Sequence, residues 1–126
     1  MEIPVEIHFH GLERSDAIER RVHAKVAKLA KHFERMTRCR VVVEAPHRNP
    51  LRPKVYLVKI EIAVPGRSPI VVMNAREGND AAEELGLALR DAFEAACRKL
   101  DDVAARLQGR SKLERGRRRR LPDASL

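Results

Sequence analysis

Residues 3 to 10 place Ile3, Val5, Ile7 and Phe9 on one side of the chain and Glu6, His8 and His10 on the other, the period of two expected of a half-buried strand. Gly11 breaks the pattern. Ser15 then stands where a helix cap is wanted, with Asp16 in the first turn, and Ile18, Val22, Val26, Leu29, Phe33 and Met36 recur at spacings of three and four. This spacing predicts a long amphipathic helix from Ser15 to Met36. From Thr37 the period is two again, with Cys39, Val41 and Val43 opposed by Arg38, Arg40 and Glu44. Pro46, Pro50 and Pro53 mark a loop that also carries His47, Arg48, Asn49 and Arg52, because proline fixes φ and supplies no ladder donor.

Beyond the loop, Tyr56, Val58, Ile60, Ile62 and Val64 alternate with Leu57, Lys59, Glu61 and Ala63 as a third strand. Pro65-Gly66-Arg67-Ser68 reads as a hairpin turn, and Ile70 to Asn74 as the fourth strand. A second long helix is predicted from about Asp80 to Gln108, burying Leu85, Leu89, Ala92, Phe93, Ala96, Leu100, Val103 and Leu107, with Gly109 as its stop. The order β-α-β-β-β-α predicts an α+β fold in two layers, a four-stranded sheet with both helices on one face. The opposite face, carrying His8, His10, Arg38, Arg40, Lys59 and Glu61, is expected to be wet. Residues 1–108 form the expected domain, and residues 109–126 a basic, disordered tail.

The chain has 126 residues, 35% of them charged, with a net charge of +8. One domain and a tail is what this length allows. No apolar run reaches the roughly 18 residues of a membrane span, and the N-terminus lacks a signal-peptide layout. A cytoplasmic protein is expected. Cys39 and Cys97 lie far apart, with no CxxC and no histidine close to either in sequence, which favours two reduced thiols. The charge is uneven: residues 14–35 carry +4, residues 80–108 carry −3 and residues 109–126 carry +5. Basic charge gathered in segments points to a polyanion partner, since each neutralised phosphate releases counterions.

The first predicted helix concentrates that charge. At about 100° per residue, Arg21, Lys25, Lys28, His32 and Arg35 fall in a strip roughly 90° to one side of the apolar stripe. Glu19 and Glu34 fall on the other flank. The result is a cationic ridge about 20 Å long, suited to a phosphate backbone, which lysine and arginine position without reading sequence. The block Arg117 to Arg120 either reinforces such contacts or keeps the end of the chain soluble.

No catalytic signature accompanies the ridge. The chain has no GxSxG, no P-loop and no GxGxxG. His8 and His10 share a strand face but lack a third ligand at a characteristic spacing, so no metal site is expected. The four aromatics, Phe9, Phe33, Tyr56 and Phe93, all occupy core positions, which leaves none to stack on unpaired bases. A binding protein is expected, with no enzymatic activity, cofactor or small-molecule substrate.

Several segments carry a family resemblance. Ser15-Asp16-Ala17-Ile18, Ala24-Lys25-Val26-Ala27-Lys28-Leu29, Phe33-Glu34-Arg35 and the strand Cys39 to Glu44 resemble the first half of the ribosome hibernation-promoting factor family, whose members are also called ribosome-associated translation inhibitors or sigma-54 modulation proteins. Arg90 to Leu100 resembles the family's second helix. The likeness spans residues 1 to 108 and implies a fold like the double-stranded-RNA-binding domain. It also implies docking on the small ribosomal subunit, in the channel used by messenger and transfer RNA, with ribosomal RNA and other ribosome-bound factors as partners. Carried over by position, Lys25, Lys28 and Arg35 match basic positions of the family's first helix, and Arg98 an arginine of its second.

The chain departs from the family at Gly86, where a tyrosine is common, at Ala95, where a lysine is common, and in its acidic second helix. Those departures shift the expected RNA contact toward the first helix, the loop from Arg48 to Lys54 and the tail. The expected contact set is Arg21, Lys25, Lys28, His32, Arg35, Arg48, Arg52, Lys54 and Arg98. Some relatives carry a further C-terminal module, and a chain ending at Leu126 is expected to lack one. Two other readings stay open: a general double-stranded RNA binder without ribosomal preference, and a protein-interaction module modulating sigma-54 transcription.

Overall fold

The computed structural model describes residues 3–45 and 54–119, with side chains described as far as Leu107. Strand β1 (Val5–His10) is followed by helix α1 (Asp16–His32), strands β2 (Arg38–Glu44), β3 (Val55–Ala63) and β4 (Ile70–Glu77), and helix α2 (Ala81–Arg119). The expected order is therefore the observed one. The sheet runs β1-β2-β3-β4, with β1 and β2 parallel and the other pairs antiparallel. A parallel pair needs a long crossover, and α1 supplies it.

Register explains the core. Val5, Cys39, Ile62 and Ile70 form one cross-strand row, and Ile7, Val41, Ile60 and Val72 the next. These rows face the helices, and with Val22, Val26 and Leu29 of α1 and Leu85, Leu89, Ala92, Ala96 and Leu100 of α2 they make a single apolar cluster. α2 packs across β3 and β4, while α1 lies toward β1. The outer face carries Glu6, His8, Arg38, Arg40, Lys59 and Glu61, as the alternation requires, together with exposed Val71 and Met73 of the edge strand β4.

Local signals act where expected. The Ser15 hydroxyl accepts the Ile18 N–H at 3.3 Å and caps α1. Gly11 takes φ +76°, and a Cβ there would stand 2.2 Å from the Ala45 carbonyl oxygen, so only glycine can let β1 end against β2. Gly66 takes φ +78° behind Pro65 in the β3–β4 turn. Asp80 precedes α2, where its carboxylate accepts the Glu83 N–H at 3.2 Å.

Three boundaries differ from expectation. α1 ends at His32, because Phe33 leaves the helix with φ −134° and ψ 94°. Phe33 and Met36 remain buried all the same, which is why their spacing read as helix. β4 continues past Asn74 to Glu77, pairing Tyr56 with Arg76 and Val55 with Glu77. α2 passes through Gly109 to Arg119; an interior glycine costs a helix only about 1 kcal/mol, and the lysines and arginines around it are good helix formers. Among the described residues no helix is long and apolar enough to cross a membrane.

Candidate nucleic-acid interface

Burying Val22, Val26 and Leu29 fixes the rotation of α1, and that rotation turns Arg21, Lys25 and Lys28 toward α2. They line an open groove of about 570 Å3 between the helices, whose opposite wall is Ala82, Glu83, Gly86, Leu87 and Arg90 of α2. Gly86 makes the close approach possible: a Cβ there would lie 2.4 Å from Nη1 of Arg21. The guanidinium of α1 thus rests in the space that a side chain on α2 would fill.

The cations of this wall are available to a ligand. Among the described residues, Arg21, Lys25 and Lys28 form no ion pair with any carboxylate. Arg90 is engaged by its neighbour Asp91, with Nη2 3.0 Å from Oδ1. On the other flank Glu19 is taken by Arg14, whose Nη2 donates to Oε1 at 2.9 Å; this contact holds the Glu19 carboxyl below the usual range.

The outer sheet face contrasts with the groove. Glu6 accepts from Arg38 and lies 4.0 Å from Arg40 and 3.8 Å from His8. Its carboxyl is held below its ordinary value, chiefly by the hydrogen bond from Arg38. The arginines of that face therefore already share a counter-charge.

The expected contact set divides accordingly. Arg21, Lys25 and Lys28 converge on the groove. His32, the last residue of α1, instead meets Asp101 of α2, with Nε2 2.5 Å from Oδ1. Arg35 lies beyond the end of α1, so the ridge is shorter on the helix than its five-member spacing predicted. Lys54 and Arg98 are exposed but do not line the groove, and Arg48 and Arg52 fall outside the described residues.

Sequence reasoning missed the α2 wall, since no single-helix pattern pairs Gly86 with Arg21. It also missed the approach of His32 to Cys97, whose thiol lies near Asp101 and is pushed above its ordinary range by burial and by that carboxylate. Both cysteines are free, and burial pushes the Cys39 thiol up to about 12.

Comparison with known proteins bears on the whole unit. Residues 5–108 match the model of the family described as sigma 54 modulation protein / S30EA ribosomal protein. The fold is similar to that of the N-terminal domain of Thermus thermophilus Protein Y, with a TM-score of 0.60 and 19% identity over 80% of this chain and 99% of that one. It is also similar to a ribosomal subunit interface protein from Coxiella burnetii, with a TM-score of 0.55 and 15% identity over 82% of this chain and 99% of the other. No curated protein sequence matches the chain.

Proposed function

The chain belongs to the sigma 54 modulation protein / S30EA ribosomal protein family, and from that premise we propose that it is a cytoplasmic hibernation factor that inhibits translation by binding the small ribosomal subunit. In this reading it occupies the channel for messenger and transfer RNA, with α1 laid against ribosomal RNA. Arg21, Lys25 and Lys28 contact phosphates across the groove, and Arg35, Lys54 and Arg98 add contacts at its margins. The observation that carries the reading is the set of three cations on one wall, turned into the groove by the burial of the neighbouring apolar face of α1 and left without described carboxylate partners.

Phosphate contacts of this kind give affinity and register but no base readout. Specificity for the ribosome then rests on shape: a groove flanked by two helices on a rigid sheet. The burial of Phe33, Tyr56 and Phe93 agrees with a partner whose bases are already paired.

Sedimentation of the protein with ribosomes through sucrose gradients tests the proposal. The protein should travel with small subunits or whole ribosomes at low salt and be released as salt rises. Protein left at the top of the gradient at low salt would overturn it. Equal displacement by an unrelated RNA duplex would favour a general duplex binder.

A further inference from the structure

His32, Cys97 and Asp101 come together where the end of α1 meets the middle of α2, beside the groove but outside it. Each offers one ligand atom, and the imidazole nitrogen, the thiol sulfur and a carboxylate oxygen all lie within 4.8 Å of one another. Two of the three come from one helix: Cys97 and Asp101 are four residues apart, the spacing that stacks side chains on one helical face. His32 closes the triangle from the other helix, with Nε2 2.5 Å from Asp101 Oδ1. From this geometry we infer that the chain binds a divalent transition-metal ion, zinc above all, through His32, Cys97 and Asp101.

The donor set selects the metal. One imidazole, one thiolate and one carboxylate are the three ligand types zinc accepts, whereas calcium and magnesium require oxygen ligands almost throughout. Zinc bond lengths of roughly 2.0 to 2.3 Å imply ligand–ligand separations of about 3.3 to 3.8 Å in a tetrahedron. The 2.5 Å contact must therefore open, and since all the ligand atoms lie within 4.8 Å of one another, no separation needs to close by more than about 1.5 Å.

Rotamer changes supply such shifts without moving either helix, because His32 and Asp101 are exposed and Cys97 is half-buried. With three protein ligands the fourth position falls to water. Metal binding here ties the end of α1 to α2. Among the described residues no arginine or lysine pairs with Asp101, so none competes with a metal for that carboxylate, and the Arg98 charge acts on Cys97 in favour of its thiolate form. The inference rests on this cluster alone and stands or falls independently of the ribosomal reading.

Cobalt(II) is the direct probe, since a cysteine thiolate bound to it gives a near-ultraviolet charge-transfer band. The metal-free full chain titrated with cobalt(II) should develop that band at one equivalent, and zinc should displace it. Cys97→Ser should abolish the band. His32→Ala and Asp101→Ala, both at exposed positions and therefore compatible with folding, should each weaken zinc binding at least about tenfold, the lower end of what even outer-shell changes cost. Cys39→Ser and the double change of His8 and His10 to Ala should leave band and affinity intact. At the same zinc concentration the thermal midpoint of the wild type should also rise more than that of Asp101→Ala. No charge-transfer band, a band that survives Cys97→Ser, or zinc affinity that follows His8 and His10 would overturn the proposal.

Discussion

Replacing Arg21, Lys25 and Lys28 together with alanine removes the three groove cations that have no described carboxylate partner. Each phosphate contact contributes about 0.9 to the slope of log affinity against log salt on a duplex, and about 0.7 on a single strand. Three contacts therefore account for a slope of about 2 to 2.7. Between about 50 and 200 mM salt, the wild type should lose roughly 20- to 40-fold more affinity for small subunits than the triple variant.

The two curves should converge as salt rises. Binding measured across a salt series by fluorescence anisotropy or by pelleting reads the slope directly, and far-UV circular dichroism checks that the variant is folded. Arg38→Ala with Arg40→Ala is the internal contrast. Glu6 already shares the charge of those arginines, so that pair should leave the slope nearly unchanged. An unaltered slope in the triple variant, or an equal reduction from the Arg38 and Arg40 pair, would refute the assignment of the groove as the phosphate-binding wall.

Two further predictions concern the frame that carries the groove. Gly86→Ala should raise stability by about 0.5–1 kcal/mol, the helix-propensity gain, because the atom a Cβ would meet at 2.4 Å is the free end of the Arg21 side chain, which can swing outward; a lower urea midpoint would show that the guanidinium cannot leave. Glu6 has a folded-state pKa held down by Arg38, so its stabilising contribution is present above its ordinary pKa and fades as pH falls through the depressed value. Glu6→Gln should accordingly lose less thermal stability than the wild type when both are acidified, and parallel losses would count against the pairing.

The element order was legible because each strand alternates against a buried face and each helix repeats a buried stripe, so period alone distinguishes them. The helix ends were less legible. Phe33 and Met36 keep their helical spacing although the chain turns extended at Phe33, since a residue can bury its side chain from a turn as well as from a helix. The extension of β4 was hidden for a related reason. Arg76 reads as a solvent residue, yet it ends the inner row of the sheet, with Nε 3.0 Å from Glu84 and Nη1 3.6 Å from Asp91. The cationic wall could be read from spacing because one helix carries it. The facing wall, and the meeting of His32 with Cys97 and Asp101, depend on how two distant segments pack, and no local pattern encodes that.

The acidic character of α2 is at odds with the proposed RNA-binding role, and the structure resolves part of the conflict. Glu84 and Asp91 are turned toward Arg76 of β4, and Asp91 also holds Arg90. Asp101 is occupied by His32, and Asp80 serves as a helix cap. These carboxylates fasten α2 to the sheet, to α1 and to its own first turn. Among the described residues that line the groove, Glu83 is the one carboxylate, set against Arg21, Lys25 and Lys28. A charge total for the helix thus misstates the field a ligand meets, because acids engaged by nearby cations contribute little at the distance of a bound phosphate once salt screens them. In the proposed function this asymmetry gives the two helices different tasks: α2 anchors and spaces, and α1 presents the charge.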